Sequence, residues 1–181
     1  MQKPEIELSL IGAMTQEGII GRNNELPWYI PSDLARFKKK TTEIGIMVMG
    51  RKTYGSILAR NNGALLPSRH HIVLSRTCSF QDEDSLTTVA SVEDACAAVK
   101  AHGGRAIVIG GAEIYKLFMP LVRTAYITVV HTPPEMPIRG DAFFPPMRLS
   151  NWACTDIPSL PRDDRDEYPT TLYIYERVSP L

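Results

Sequence analysis

The chain has 181 residues, enough for one well-buried domain and too few for two ordinary ones. Apolar residues make up 44% and charged residues 22%, and twenty basic side chains cancel twenty acidic ones, a balance that argues against a nucleic-acid or membrane-surface partner. Cys78, Cys96 and Cys154 are isolated and odd in number, and His70, His71, His102 and His131 lack metal-ligand spacing, so neither a disulfide framework nor a metal site is expected. Met1-Gln2-Lys3-Pro4-Glu5 does not begin a signal peptide, and no apolar stretch approaches the ~20 residues of a membrane helix. A reducing, cytoplasmic setting follows as the expectation.

In chain order, Ile6–Ala13 reads as a strand. The connection from Met14 to Ile30 contains Gly18, Gly21, Asn23, Asn24 and Pro27 and shows no periodicity; loops of that length inside compact domains are usually functional, often lids. The next elements are a helix over Ser32–Thr42 after Pro31, a strand over Ile44–Met49 and a short helix opening near Thr53. Strands His70–Leu74 and Leu86–Ala90 come next. Ser91-Val92-Glu93-Asp94 is a capping-box pattern that opens a helix over Ala95–Ala101. Strand Arg105–Ile109, helix Ala112–Met119 and strands Ala125–His131, Trp152–Ile157 and Thr171–Arg177 complete the chain. Several strands are continuously apolar, as in parallel sheets buried on both faces. The predicted architecture is α/β: a single domain over residues 1–181, with a mostly parallel eight-stranded central sheet, helices on both faces and an antiparallel C-terminal strand pairing.

Three strand ends carry signals for an anion. Met49-Gly50-Arg51-Lys52-Thr53 places two cations where a strand enters a helix, against the preference of the helix dipole. Leu74-Ser75-Arg76 ends a strand in a hydroxyl and a guanidinium. Ile109-Gly110-Gly111-Ala112-Glu113-Ile114-Tyr115 combines a sharp glycine turn with helix amides. It is not the ordinary GxGxxG fingerprint, and taken singly a plain strand–turn–helix connection would also use paired glycines. Together, at strand carboxyl ends, the three fit a dinucleotide bearing an extra phosphate.

The other informative residue is Asp33. Ile30, Leu34 and Phe37 form an apolar stripe beside it, and the spacing directs it to that stripe rather than to Arg36 or Lys38. Such an acid needs a hydrogen-bonding partner or a raised pKa. It could equally be a first-turn acid that suits the helix dipole.

At these residues the chain resembles the dihydrofolate reductase family. The resemblance runs from about Leu8 to the end, on Leu10-Ile11-Gly12-Ala13, Ile20-Gly21, Leu26-Pro27-Trp28, Pro31-Ser32-Asp33-Leu34, Met49-Gly50-Arg51-Lys52-Thr53-Tyr54, Leu66-Pro67, Ile72-Val73-Leu74-Ser75-Arg76, Ile109-Gly110-Gly111-Ala112-Glu113-Ile114-Tyr115 and Gly140-Asp141-Ala142-Phe143-Phe144-Pro145. It implies hydride transfer from NADPH to pterin C6 of dihydrofolate and protonation at N5, supplying tetrahydrofolate for one-carbon metabolism. It further implies that dihydrofolate and antifolate-like small molecules are the partners, and that the protein is a monomer.

By the same resemblance Asp33 holds the pterin edge, supported by Thr128 and, through water, by Trp28, with Leu26 and Tyr115 completing the catalytic set. Ile11, Leu34, Phe37, Ile57, Leu66 and Ile109 line the substrate cleft, and Arg69 binds the glutamate α-carboxylate. Ala13, Ile20, Gly21, Gly50, Lys52, Thr53, Leu74, Ser75, Ile109, Gly110, Gly111, Ala112, Glu113, Ile114 and Tyr115 surround the cofactor, with Arg51 and Arg76 on its 2′-phosphate. Residues from Met14 to Ile30 form the lid, latched by Asp141. Ala142 departs from the family's usual threonine, and Ala59–Ala64 and Pro133–Arg139 are altered in length. A pyrimidine or pterin reductase of the same fold, and a non-catalytic dinucleotide- or folate-binding protein, are the competing readings.

Overall fold

Glu7–Thr15 forms the strand around which the sheet is laid, β1. In the computed structural model, which describes residues 6–78, 80, 84–158 and 161–178, it is followed by a three-residue strand β2 (Ile19–Gly21), helix α1 (Pro31–Ile44), β3 (Ile46–Gly50) and α2 (Arg51–Arg60). Then come β4 (His70–Leu74), β5 (Leu86–Val89), α3 (Val92–Ala101), β6 (Arg105–Val108) and α4 (Ala112–Phe118). The chain ends with β7 (Thr124–Val130), β8 (Ala142–Phe143), β9 (Trp152–Asp156) and β10 (Thr170–Arg177). The N-terminal segment Met1–Glu5 lies outside the described residues.

Eight strands make one sheet in the order β5-β4-β3-β6-β1-β7-β10-β9. Pairings from β5 to β7 are parallel, and β10 runs antiparallel to both β7 and β9. The anticipated class and its antiparallel end are therefore present. The continuous apolar runs are explained by burial on two faces. In β3, Ile46 and Val48 join a core with Ala95 and Val99 of α3 and Ile114 and Phe118 of α4. Met47 and Met49 join the opposite core, with Tyr54 of α2 and Phe37 of α1.

Local signals set the helix limits. Gly45, at φ 83°, takes the left-handed turn that stops α1 and donates to Thr41 O at 2.9 Å, so Ile44 belongs to the helix rather than to the strand that was expected to begin there. Ser91 caps α3, accepting from the Asp94 amide at 3.0 Å, as its pattern predicts.

Helix α1 has no cap of its own. Ile30 precedes it, and the first-turn amide of Ser32 donates instead to Asp166 Oδ1 at 3.0 Å. Oδ2 of the same carboxylate accepts from the Asp163 amide at 3.1 Å. Burial pushes the Asp166 pKa up, but the bonds from Ser32 and Asp163 outweigh it and hold the carboxyl below its usual range.

The connection between β1 and α1 is more structured than its composition suggests. Within it β2 pairs antiparallel with β8, Ile19 opposite Phe143 and Gly21 opposite Ala142. Runs this short carry no periodicity that a sequence reading could catch.

Candidate active site

The carboxyl ends of β1, β3, β4 and β6 open on one cleft of about 1320 Å³. Its walls include Ile11, Gly12 and Ala13 of β1, Gly50 to Thr53 at the β3–α2 junction, and Leu74, Ser75 and Arg76 after β4. Ile109, Gly111, Ala112, Glu113, Ile114 and Tyr115 follow β6, and Asp33, Leu34, Phe37 and Ile57 come from the two helices. Ile20, Gly21 and Leu26 close one side. Residues singled out along 100 positions of sequence thus meet in one cavity, at the strand ends where open α/β sheets bind ligands.

At the floor, Thr128 of β7 donates from Oγ1 to Asp33 Oδ1 at 2.7 Å. Thr128 is buried, opposite Ala13 of β1 and Leu172 of β10, so the hydroxyl is held by a strand on each side. One expectation is corrected here. The sequence predicts an Asp33 turned from Arg36, yet Arg36 Nη2 donates to Asp33 Oδ1 at 3.2 Å. The side chains are three apart on α1, a spacing that brings them together, and the guanidinium folds back across the first turn. Leu34, read as part of the apolar stripe, is 40% exposed on the cleft wall. Burial raises the Asp33 pKa, and the Thr128 and Arg36 bonds oppose that rise only in part.

The Tyr115 hydroxyl lies 2.8 Å from Ile11 O and 3.0 Å from Ile109 O. It therefore clamps the middle of β1, just past its last pairing with β6, to the turn after β6. Burial, then the Asp33 charge, raise its pKa, so it stays a neutral donor. The peptide bond between Gly110 and Gly111 is cis, and Gly110 has φ 111°, a conformation open to glycine. A Cβ at Gly110 would also stand 3.1 Å from the Tyr115 ring.

Helices α2 and α4 begin at the cleft and lack a side-chain cap. Arg51, Lys52 and Arg76 are exposed there, and among the described residues no carboxylate pairs with Arg51 or Arg76. Uncapped amides and unpaired cations on one wall form a site that fits a polyphosphate.

Leu66, Arg69, Trp28, Thr128 and Gly110 lie behind or beside the walls rather than among the residues lining the cavity. Arg69 is only 6% exposed. It donates to Pro67 O at 3.0 Å and to Thr41 Oγ1 at 3.0 Å, and among the described residues no carboxylate is bonded to it. Trp28 is buried with Ile30 and Val130 in a small third core.

Several supporting residues escaped the sequence reading. Thr41 orients Arg69, and Thr41 Oγ1 itself donates to Phe37 O at 2.8 Å. His71 is fully buried; its Nε2 accepts the Leu66 amide at 3.3 Å while Nδ1 faces Ser85 O at 3.1 Å, and burial pushes its pKa down. The Arg36 pair could have been found from its i,i+3 spacing, whereas Asp166 could not, being 134 positions from the helix it caps.

The loop over residues 14–30 is fastened to the segment that carries β8. The Asn23 amide donates to Asp141 Oδ2 at 2.9 Å, the Asp141 amide to Gly21 O at 3.0 Å and the Phe144 amide to Gly18 O at 2.8 Å. Asn24 Nδ2 reaches Lys52 O at 3.1 Å, across the cleft mouth. These bonds use backbone groups, the Asp141 carboxylate and the Asn24 side-chain amide, so Ala142 withdraws none of them. A Cβ at Gly140 would collide with Ile19 and with Gly21 O, at 2.3 and 2.5 Å.

A cleft with a part-buried acid at one end and a phosphate-seeking wall at the other, at the strand ends of an open sheet, defines the general class of α/β nucleotide-binding proteins. Comparison with known proteins narrows it. The dihydrofolate reductase family model matches residues 7–177. The dihydrofolate reductase of Staphylococcus haemolyticus is 32% identical over 173 residues, 96% of this chain and 97% of that protein. The Bacillus subtilis enzyme of that name is 34% identical over 172 residues, 94% of each. Among solved structures, dihydrofolate reductase from Enterococcus faecalis, complexed with NADP(H) and RAB-propyl, superposes with a TM-score of 0.83 at 29% identity, covering 96% of this chain and 97% of that one. The chain belongs to the dihydrofolate reductase family.

Among the described residues no helix is long and apolar enough to cross a membrane, and no group of three or more His, Cys, Asp or Glu is placed to hold a metal ion.

Proposed function

We propose that this protein reduces 7,8-dihydrofolate to 5,6,7,8-tetrahydrofolate with NADPH. The observation that carries the reading is the part-buried Asp33–Thr128 pair, 2.7 Å apart, at the floor of a cleft whose far wall presents Arg51, Arg76 and two uncapped helix starts. The family membership and the NADP(H)-bound neighbour point the same way.

Asp33 receives the donor edge of the pterin, N3–H and the 2-amino group, and polarises the ring. Thr128 keeps the carboxylate turned to that edge. Arg69 takes the substrate's α-carboxylate. Asp33 lies in the first turn of α1 and Thr41, which orients Arg69, lies eight residues on, about 12 Å along the axis. That spacing suits a ligand with a heterocycle at one end and an acid at the other. Gly110, Gly111, Ala112 and Thr53 surround the pyrophosphate, and Arg51 and Arg76 hold the 2′-phosphate.

NADPH, when bound, supplies the hydride for pterin C6. The protein contributes placement, holding the reacting faces together on the backbone that Tyr115 clamps. Asp33 is not the direct donor to N5, because its carboxylate meets the opposite edge of the ring. Water entering past Leu26 delivers that proton, and residues 14–30 keep other water out.

Following NADPH oxidation with dihydrofolate as the acceptor tests the reading. Turnover is expected. Its absence, with turnover of an aminopyrimidine instead, would move the protein to a neighbouring activity.

A further inference from the structure

Arg36 is held from several sides beside the acid that the proposed chemistry uses. Its Nη2 donates to Asp33 Oδ1 at 3.2 Å and to Thr170 Oγ1 of β10 at 3.2 Å, and its Nη1 donates to Ser32 Oγ at 3.3 Å. Its Nε is buried and makes no hydrogen bond. Side-chain exposure is 18% for Arg36 and 17% for Asp33, so the pair lies largely out of water, where charges interact more strongly than at a surface. Oδ1 of Asp33 thus takes donors from both Thr128 and Arg36.

The charged and titratable groups that face Asp33 are Arg36 on α1, Tyr115 on α4 and Asp166 on the connection before β10. The hydroxyls of Thr128 and Thr170 complete its surroundings. Arg36 is the one cation of this set.

We propose that Arg36 is a specificity-determining residue: its fixed cation makes the Asp33 site favour a ligand edge that is neutral over one that is itself a cation. The inference rests on the reading that Asp33 binds the heterocycle. A neutral amide-and-amine edge gives Asp33 two hydrogen bonds and meets no opposing charge. A protonated 2,4-diaminopyrimidine edge gives the same two bonds, but its positive charge must enter beside a guanidinium that cannot leave, because Ser32 and Thr170 hold it.

The test compares two probes on the NADPH-saturated protein: 2,4-diamino-5-benzylpyrimidine, a cation when bound to a carboxylate, and its neutral 2-amino-4-oxo counterpart. In Arg36→Met the diamino compound should bind roughly tenfold more tightly or better, while the oxo compound changes little. Arg36→Lys should restore most of the original ratio. Arg36 favours the ionised carboxylate, so its removal lets Asp33 keep a proton to higher pH. The pH below which diamino binding fails should therefore move up in Arg36→Met.

An unchanged ratio of the two affinities in Arg36→Met overturns the proposal. If that variant does not fold, Arg36→Gln, which can still bond Ser32 and Thr170, carries the same expectation. Asp33→Asn separates the two levels of the argument. If it leaves both affinities unchanged, Asp33 does not bind the heterocycle and the proposal falls with that reading. If it abolishes the discrimination while Arg36→Met preserves it, the role of Arg36 alone is lost.

Discussion

Asp33 carries its charge where water is scarce, and both consequences of that are measurable. Its pKa is raised by burial more than Thr128 and Arg36 lower it, so the folded protein binds the proton more readily than the unfolded chain does. Stability associated with the neutral acid is present at low pH and is lost as pH rises through the folded-state pKa. At pH 7 Asp33→Asn removes a charge that folding disfavours, and the melting temperature should hold or rise, with the advantage shrinking as pH falls. Turnover at pH 7 should drop by orders of magnitude and recover in part at lower pH, as the substrate arrives already protonated. If Asp33 only served the helix dipole, the same variant would lose about 0.3–1 kcal/mol of stability and keep its turnover. Melting curves and a pH–rate profile on this one variant distinguish the cases.

Arg69 makes a complementary forecast. Arg69→Leu should raise KM for dihydrofolate by the equivalent of roughly 2–3 kcal/mol, the worth of a charge-assisted bidentate contact, and affect kcat less. An unchanged KM would remove it from the substrate site. Asp33 stood out in the sequence as an acid beside an apolar stripe, whereas Arg69 was suggested only by the family resemblance. The i,i+3 spacing of Arg36 offered the pair with Asp33, but its bond to Thr170 of β10, 134 positions away, carried no local signal.

Among elements, α1 and the residue 14–30 loop show how far apart in sequence the supports of this cleft lie. Helix α1 is held at its start by Asp166, so Asp166→Ala should cost about 1–2 kcal/mol, as loss of a cap does. In a chain of this size that is a fall in melting temperature of roughly 2–8 °C. The Asp166 carboxyl is held below its usual range, so its contribution is present above the unfolded-state pKa and fades as pH drops through the folded value. The variant should therefore lose more stability at pH 7 than near pH 3, and an equal loss at both would mean that the carboxylate charge is not what caps the helix.

Replacing residues 18–23 with a short linker removes the Asn23–Asp141 bond and β2 together. That variant should fold and bind NADPH yet turn over slowly, and near-normal kcat would make the loop a mere connection. Its length set it apart in the sequence as a candidate lid. Its pairing with β8 was invisible, since two- and three-residue strands are defined by their partner and not by any pattern of their own.

Viewed whole, the molecule has a cleft with Asp33 at one end, proposed for the pterin, and Arg51 and Arg76 at the other, proposed for phosphate. Changing both Arg51 and Arg76 to neutral residues should weaken NADPH far more than NADH, measured as the ratio of their dissociation constants, because only NADPH carries the 2′-phosphate. Equal losses would place the arginines on the pyrophosphate. The eight strands of the main sheet and the four helices were readable from apolar runs, caps and Pro and Gly stops. The order of the strands was not. Alternation of strand and helix implies parallel crossovers but leaves open that β1 lies between β6 and β7.

That placement of β1 imposes a timetable on synthesis. Once made, β1 has no neighbour in the main sheet until residues 105–130 follow it from the ribosome. At roughly 5–20 residues per second, the wait is on the order of ten seconds. Strands β3, β4 and β5 can meanwhile pair among themselves, but β3 keeps one edge open until β6 arrives. An unpaired apolar strand with both edges free is a template for the wrong partner. Survival of the nascent chain in solution therefore depends on what surrounds Leu8 and Leu10 during that wait, not on the finished surface. Since α1 gains its cap from Asp166, the cleft is completed only once a residue 134 positions beyond the helix start has been made.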